Sequence, residues 1–264
     1  MLITIITINY NNFEGLKKTM QSVFSQTYKN IEYVVIDGGS TDGSKAYIES
    51  NKQHLAHWVS EPDNGVYEAM NKGIDQATGN YLLFLNSGDW LFDNFVIETF
   101  IKLKPIEDIV YGDPLMRVNN KWQRLYMPKT MNKIIAITNT LAHQAEFYKQ
   151  SLFHDGLRYD TSYQVVSDWI LTNHAIVFNN CTTRYIDLVV CYFDDPGISS
   201  DLKLRIKERK RYLEENFDPL FLSLLRKYRT LQKEHDAIKN NALVQGALWM
   251  HQKGEKLIHF FKKK

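Results

Sequence analysis

The first hundred residues alternate between short apolar runs and amphipathic segments, and this alternation limits the possible folds more than any other feature of the chain. The apolar runs predict strands at 2–8, 33–37, 58–60 and 81–85. Apolar residues spaced three and four apart, together with turn residues, predict helices at 14–25, 43–52, 65–78 and 92–103. Strands that are apolar along their whole length are typical of a parallel sheet covered by helices on both faces. The sequence therefore predicts an α/β fold with a mostly parallel central sheet flanked by helices.

Length and composition exclude several other classes of protein. The 264 residues are 44% hydrophobic, enough for one large buried core and ordinary for a globular chain. The chain has no run of about 18 apolar residues that could span a membrane. Its apolar start lacks the basic residues and cleavage site of a signal peptide. Cys181 and Cys191 fit no metal or redox motif, so we expect reduced thiols in a cytoplasmic protein.

The second half of the chain is less regular and ends in a basic, helical segment. Its patterns predict strands at 108–111 and 185–193, and helices at 168–176, 201–216 and 220–240. We therefore divide the chain into a main domain, residues 1–200, and a C-terminal extension, residues 201–264. The main domain has two halves, which are residues 1–105 and 106–200.

Charge is distributed unevenly between these two domains. Of 32 basic and 30 acidic residues, 16 and 8 follow position 200, so the extension carries +8 and the main domain −6. The extension closes with Phe260 and Phe261 beside three lysines, a composition that suits attachment to an anionic lipid surface. It is equally consistent with a helical appendage that packs on the core or on a second subunit. Nucleic acid is not an expected partner, because the main domain is acidic and no binding module is recognisable.

Polar residues follow two of the predicted strands, at the sheet edge where α/β proteins bind ligands. Asp37 opens the sequence Asp-Gly-Gly-Ser-Thr-Asp-Gly after the second strand, and Asp89 ends Asn-Ser-Gly-Asp after the fourth. Asp37 could accept hydrogen bonds from a ribose or a base, and Asp89 could hold a divalent cation. A capped, glycine-rich turn and an Asx turn are the alternative explanations.

Three further residues are candidates for chemistry. Asp63 precedes the helix predicted at 65–78, and Asp168 precedes the apolar part of a later helix. Either carboxylate could simply cap its helix. Asp168 could instead act as a general base on a hydroxyl group. His143, in the pair His143-Gln144, lies between them in the sequence.

In their order and spacing, these segments resemble the family 2 glycosyltransferases, which have the GT-A fold and use nucleotide-sugars. More narrowly, they resemble the bacterial members that build O-antigens, capsules and colanic-acid-type exopolysaccharides. The matching segments are 5–11, 35–43, 60–65, 71–74, 77–79 and 84–89. The likeness continues at 143–144, 147–148 and 159–168, and it covers residues 1 to about 200.

The resemblance implies a role for each candidate residue. Tyr10 would line the base pocket, Asp37 would hold the nucleoside, and Asp63 would lie near the nucleotide-sugar. Asp89 would contact the donor and bind Mn²⁺ or Mg²⁺, although many relatives have two carboxylates, Asp-x-Asp, where this chain has one. Asp168 would be the catalytic base, and His143 would lie on the acceptor side.

The resemblance also implies an activity. We expect an inverting, metal-dependent hexosyltransferase that moves a sugar from a UDP-hexose to a hydroxyl of a lipid-linked saccharide, at the cytoplasmic face of the inner membrane. A nucleotidyltransferase that forms nucleotide-sugars is one alternative. It would usually have a glycine-rich, basic loop after the first strand, where this chain has Asn9-Tyr10-Asn11-Asn12. A non-catalytic nucleotide-binding or carbohydrate-binding module is the other.

Overall fold

The computed structural model describes residues 1–193, 201–239 and 241. The chain forms two compact units, residues 1–208 and 209–264. The boundary between them falls inside a helix, eight residues after the division that we predict from composition.

The first half of the larger unit follows the predicted alternation of strands and helices. Its strands are β1 (Ile3–Asn9), β2 (Ile31–Asp37), β3 (His57–Ser60), β4 (Tyr81–Phe84) and β5 (Trp90–Leu91). Its helices are α1 (Phe13–Phe24), α2 (Ser44–Ser50), α3 (Val66–Gln76) and α4 (Val96–Lys102). The helix predicted at 92–103 begins only at Val96, because Phe92 N–H donates to the carbonyl of Val190 at 2.9 Å and the Asp93 side chain then accepts from Phe95 N–H at 2.7 Å in a turn.

The second half contains shorter and more irregular elements. The strands are β6 (Ile109–Val118), β7 (Lys121–Arg124), β8 (Glu146–Lys149) and β9 (Thr183–Phe193). The helices are α5 (Lys133–Thr138), α6 (Ser151–His154) and α7 (Ser167–Asn173), and α7 continues into a π-helical turn, His174–Phe178. The sequence patterns predict β6, β9 and α7 but miss the others, whose four to six residues are too short to show a period.

All nine strands in the described part of the chain belong to one sheet, with the order β3-β2-β1-β4-β8-β6-β9-β5 and β7 beside β6. Strands β1 to β4 are parallel, as predicted. Strand β8 is antiparallel to both β4 and β6, whereas β6 and β9 are parallel. The predicted α/β fold with helices flanking a central sheet is confirmed, and the sheet is parallel in the first half and mixed in the second. The antiparallel pairs involve the short strands β5, β7 and β8, and the sequence Glu-Phe-Tyr-Lys of β8 gives no strand signal.

The core lies on both faces of this sheet. Along β1, Ile3 and Ile5 belong to one apolar cluster, and Ile6 and Ile8 belong to the cluster on the opposite face. Helix α3 packs closely against β1, because a Cβ atom at Gly73 would lie 2.4 Å from the side chain of Ile6. Burial on both faces fixes the register of the parallel strands, so their carboxyl ends form a rigid edge.

The smaller unit continues helix α8 (Leu202–Asn216), which begins in the larger unit, and contains α9 (Pro219–Lys239). Within it, the rings of Phe217 and Phe221 stack with centroids 5.2 Å apart. Helix α9 exposes Leu220, Leu224 and Leu231. No helix in the described ranges is both long enough and apolar enough to cross a membrane. The aromatic and basic end at 257–264 lies outside the described residues.

Candidate active site

Asp37 lies at the end of β2 and is completely buried. Four donors surround its carboxylate: the Asn9 amide at 2.7 Å, the Ser40 hydroxyl at 2.6 Å, the Ser40 backbone N–H at 2.9 Å and the Ser60 hydroxyl at 2.6 Å. Such bonds satisfy a buried charge that would otherwise be costly. The carboxylate thus fixes the loops after β1, β2 and β3. It offers no surface to a nucleoside, so the direct contact that the sequence predicts has no support in this geometry.

Asparagines join the ends of the parallel strands into one rim. The backbone N–H of Asn11 donates to the Ser40 hydroxyl at 2.7 Å, and the Asn11 side chain accepts from Thr41 N–H at 2.9 Å. Asn12 caps α1 and also donates to the carbonyl of Ser87 at 2.9 Å. The turn requires a left-handed backbone at Asn11, with φ of 48°, a conformation that asparagine tolerates. The loops after β1, β2 and β4 therefore share a single edge.

Tyr10 and Asp63 meet over Gly38 on this rim. A Cβ atom at Gly38 would lie 2.7 Å from Oδ2 of Asp63 and 3.2 Å from Cδ2 of Tyr10. The ring of Tyr10 is 67% exposed, and Asp63 is half-buried. The other oxygen of Asp63, Oδ1, accepts from Gly65 N–H at 2.9 Å, which fixes the carboxylate. The structure thus brings two of the predicted donor-binding residues together.

The loop after β4 holds Asp89 in place. The Thr19 hydroxyl on α1 donates to the Asp89 carbonyl at 2.6 Å and accepts from Gly88 N–H at 3.0 Å. Gly88 has φ of +104°, a backbone conformation that favours glycine. Burial raises the pKa of the Asp89 carboxyl to about 7, although the charge of His143 and a hydrogen bond from the backbone partly oppose this. The carboxyl therefore lies in a poorly solvated position, where a positive charge would stabilise its ionised form.

His143 links the two halves of the sheet. Its Nε2 lies 3.2 Å from the side-chain nitrogen of Asn86, and its Nδ1 lies 3.5 Å from Oδ2 of Asp168. Burial opposes protonation of the ring, but the hydrogen bond and charge of Asp168, with the charges of Asp89 and Glu146, raise the pKa of His143. The imidazole therefore interacts with the predicted metal carboxylate and with the predicted base. Asp89 and Asp168, far apart in the sequence, belong to one cluster.

Helix α3 positions Asp168. Val166 precedes α7 as the cap residue, so Asp168 lies in the first helical turn and the alternative that it serves as the N-cap is wrong. The hydroxyl of Tyr67 interacts with the backbone N–H groups of Ser167 and Asp168. The ring of Tyr67 stacks on that of Tyr159 at 5.6 Å. These contacts hold the start of α7 against α3.

The comparison with known sequences decides the family. The sequence model of glycosyl transferase family 2 matches residues 4–161, more than half of the chain. The chain belongs to this family. It is 34% identical over 205 residues to an uncharacterized glycosyltransferase of Mycobacterium tuberculosis, covering 75% of this chain and 77% of that protein. It is 32% identical over 203 residues to the PGL/p-HBAD biosynthesis glycosyltransferase of Mycobacterium bovis, covering 74% and 78%.

Solved structures show the same fold. TarS residues 1–349 of S. aureus, in complex with UDP-GlcNAc, aligns over 75% of this chain and 59% of its own, with a TM-score of 0.63 and 19% identity. The mannosyltransferase PcManGT of Pyrobaculum calidifontis, in complex with GDP-Man and Mn²⁺, aligns over 97% and 80%, with a TM-score of 0.62 and 17% identity. The chain is thus a glycosyltransferase with the predicted GT-A fold. Neither alternative, a nucleotidyltransferase or a non-catalytic module, gains support.

Several residues that shape the site of this glycosyltransferase are missed by the sequence analysis. Asn71 bonds both backbone groups of Tyr159, at 2.9 and 3.0 Å, and Glu208 of α8 accepts from the backbone of Gln164 and Val165 at 2.8 and 3.0 Å. Tyr67 and Asn71 are four apart on one helix, a spacing that places them on one face. Glu208 gives no such signal, because it lies in a basic segment that reads as a solvated helix.

Glu146 on β8 is also missed by the sequence analysis, although it is buried inside the cluster. It accepts hydrogen bonds from the hydroxyls of Tyr148 at 2.9 Å and Thr172 at 3.1 Å. Burial raises the pKa of its carboxyl to about 7, with the two hydroxyls and His143 opposing the shift. The native state of the glycosyltransferase therefore binds a proton at Glu146 that the unfolded chain releases near pH 4.5.

We expect this proton to make stability depend on pH. A carboxyl whose pKa is higher in the folded state stabilises the fold fully below pH 4.5, and that contribution is lost as the pH rises through about 7. The free energy of unfolding should fall by roughly 2–3 kcal/mol between pH 4.5 and pH 8 on account of this group. Urea unfolding of Glu146→Gln should show a correspondingly shallower decrease. Glu49→Gln, at an exposed position, is the matched control. If the free energy of unfolding decreases equally with pH in wild type and in both variants, the prediction is contradicted.

The residues after β4 fit a divalent cation only in a limited way. Asp89 supplies one carboxylate, and Oδ1 of Asn86 is buried without a partner. Within 1–193, 201–239 and 241 no group of three or more His, Cys, Asp or Glu side chains could hold a metal ion. Mg²⁺ and Mn²⁺ are commonly held by one or two carboxylates together with phosphate oxygens of a substrate. The residues thus fit a cation shared with a bound diphosphate, not a site built from protein ligands alone.

Proposed function

We propose that this glycosyltransferase moves a hexose from a UDP-hexose to a hydroxyl of a lipid-linked saccharide, with inversion at the anomeric carbon, in the synthesis of a bacterial surface polysaccharide. The observation that carries the proposal is the cluster around His143, whose imidazole interacts both with Asp168, the proposed base, and with Asp89, the proposed cation ligand. A transferase needs this juxtaposition, since its donor and acceptor react at one carbon atom.

Asp168 is the proposed general base. Its ionised carboxylate would accept the proton of the acceptor hydroxyl as the oxygen attacks the anomeric carbon. A protonated His143 beside it would favour the ionised form of Asp168 before the reaction. The bond from the sugar to the diphosphate breaks as the new bond forms on the opposite side. A single displacement of this kind inverts the configuration.

Donor binding is assigned to the rim. Tyr10 would stack on the base, and Asp63 would lie beside it. Asp37 would stabilise the loops after β1, β2 and β3 through its hydrogen bonds. A divalent cation bound at Asp89 would neutralise the negative charge that develops on the leaving nucleoside diphosphate. His143 would contribute a second positive charge in the same cluster. The Mn²⁺ in the PcManGT structure supports the use of such a cation.

A donor screen tests the proposal. The enzyme is incubated with UDP-hexoses, GDP-mannose and a synthetic alkyl-diphosphate-linked monosaccharide, with and without Mn²⁺, and both nucleoside diphosphate and pyrophosphate are measured. We expect UDP release that requires the acceptor and increases with Mn²⁺. Proton NMR should show a β-glycoside from an α-linked donor. Pyrophosphate release, or a product with retained configuration, would refute the proposal.

The exposed face of α9 supports attachment to the cytoplasmic face of a membrane. At 100° per residue, Leu220, Leu224 and Leu231 fall within about 40° of one another on the helix. All three are exposed, and Lys227 lies next to this stripe. An apolar stripe beside basic residues is typical of helices that lie in the interface of anionic lipids.

We expect the full-length protein to sediment with anionic vesicles. Leu224→Ser with Leu231→Ser should reduce the bound fraction several-fold, because the exposed helix face loses the side chains that would enter the lipid. Circular dichroism should be unchanged, since both leucines are exposed. Vesicles of phosphatidylcholine alone serve as the control lipid. Equal sedimentation of wild type and variant would show that α9 is not the attachment site.

A further inference from the structure

Gly38 lacks a side chain where the backbone would permit one. Its φ is outside the left-handed range that favours glycine, and its N–H donates to the carbonyl of Asn9 at 2.8 Å. The space in front of it is filled by the carboxylate of Asp63, whose Oδ2 would lie 2.7 Å from a Cβ atom at position 38. Glycine is needed here because Asp63, from a different loop, occupies the place of the missing side chain.

The two oxygens of Asp63 are in different situations. Oδ1 accepts from Gly65 N–H at 2.9 Å, while Oδ2 accepts no hydrogen bond from any residue that the structure describes. Gly65 permits this turn because its φ is +124°. The carboxylate is therefore held by one oxygen and presents the other, a pure acceptor, beside the exposed ring of Tyr10.

A single acceptor next to an aromatic ring discriminates between nucleobases. A base stacked on Tyr10 would present its Watson–Crick edge to Oδ2. Uracil and thymine have one N–H at the centre of that edge, which one carboxylate oxygen can accept. Guanine has two adjacent donors and is matched best by both oxygens at once, but Oδ1 already accepts from Gly65 N–H and would have to be shared. Cytosine and adenine have a ring nitrogen acceptor at this position, which the carboxylate would repel.

We propose that Oδ2 of Asp63, over Gly38 and beside Tyr10, selects donors whose base is an imide pyrimidine, uracil or thymine. The inference rests on the proposed function, since it assumes that the rim binds a nucleoside diphosphate. Oδ2 would accept the hydrogen bond of the imide N–H, and guanine, adenine and cytosine would bind less tightly. Asp63 is a specificity-determining residue and takes no part in bond breaking.

The test measures the dissociation constants of UDP, dTDP, CDP, GDP and ADP by titration calorimetry, with the full chain and Mn²⁺ present. Wild type should bind UDP or dTDP at least tenfold more tightly than the other three. The comparison of UDP with dTDP shows whether uracil or thymine is preferred. Asp63→Asn keeps the bond to Gly65 N–H but replaces the acceptor with a donor. The substitution should weaken the binding of UDP roughly 10- to 100-fold. It should strengthen the binding of CDP, because the ring nitrogen of cytosine can accept a hydrogen bond from the new amide.

Two further variants separate base reading from a structural effect. Gly38→Ala places a methyl group against Oδ2 of Asp63. It should weaken the binding of UDP without strengthening the binding of CDP. Asp42→Asn alters a neighbouring aspartate whose oxygens accept from Phe13 and Ser44, and it should leave the order of base preference unchanged. Reversal of the UDP and CDP preference in Asp63→Asn alone would support the inference.

Three results would overturn it, and they are distinguishable. If Asp63→Asn weakens the binding of all five nucleotides equally, Asp63 contacts the ribose and not the base. If wild type prefers GDP, ADP or CDP, the base assignment and the UDP part of the proposed function are both wrong, while sugar transfer itself stands. If wild type binds none of the five, the proposed donor class fails together with the inference.

Discussion

Asp168→Asn should reduce sugar transfer by about 10³-fold while leaving nucleotide binding within twofold of wild type. Asparagine has the same shape and can still accept from Trp169 N–H, a bond of 2.8 Å in the native protein, so the start of α7 should be preserved. It cannot take a proton, so the acceptor hydroxyl would have to attack without a general base. Steady-state turnover and calorimetric titration with UDP measure the two effects.

A second readout separates this role from a structural one. The hydrogen bond and charge of Asp168 help to raise the pKa of His143, so that pKa should be lower in Asp168→Asn. An NMR titration of the histidine ring follows it. Asp155→Asn, at an exposed position in the same half of the domain, is the matched control and should change neither quantity. A tenth of wild-type turnover remaining in Asp168→Asn would show that another group is the base.

The sequence is sufficient to predict the parallel part of the sheet, because each strand and helix in that part has its own sequence pattern. Strands such as β1 are apolar along seven residues, and the helices between them repeat with the helical period. The same reasoning locates the rim, since the ends of parallel strands lie on one side. It cannot locate β8, whose four residues pair with two strands only after the chain has folded.

The roles of individual side chains were harder to predict than their location. Asp37 has the residue type and position of a ligand-binding carboxylate, yet its four hydrogen bonds are made within the protein. Asp63 has the sequence position of a helix cap, yet its Oδ2, beside Tyr10, accepts no hydrogen bond from the residues that the structure describes. Both outcomes depend on contacts between loops that are distant in the sequence, and no local pattern encodes such contacts.

Asp89→Asn should also reduce turnover, by at least 10²-fold, because the leaving diphosphate would lose the cation that this carboxylate is proposed to hold. The substitution retains the size of the side chain in a half-buried loop that Thr19 braces through backbone atoms. The fold of the loop should therefore survive. Chelation with EDTA should bring wild type to a similar rate, and added Mn²⁺ should restore wild type alone.

Nucleotide binding then distinguishes a lost metal ligand from a damaged site. Mn²⁺ should strengthen UDP binding to wild type at least tenfold, since a cation held by Asp89 would supply positive charge for the diphosphate. In Asp89→Asn that gain should disappear, whereas the affinity for UDP in EDTA should match that of wild type, because Tyr10 and Asp63 are unchanged. Asp93→Asn, whose side chain accepts only from Phe95 N–H among the described residues, should retain the full gain. If Asp89→Asn also retains the gain, the cation is held elsewhere and Asp89 is not its ligand.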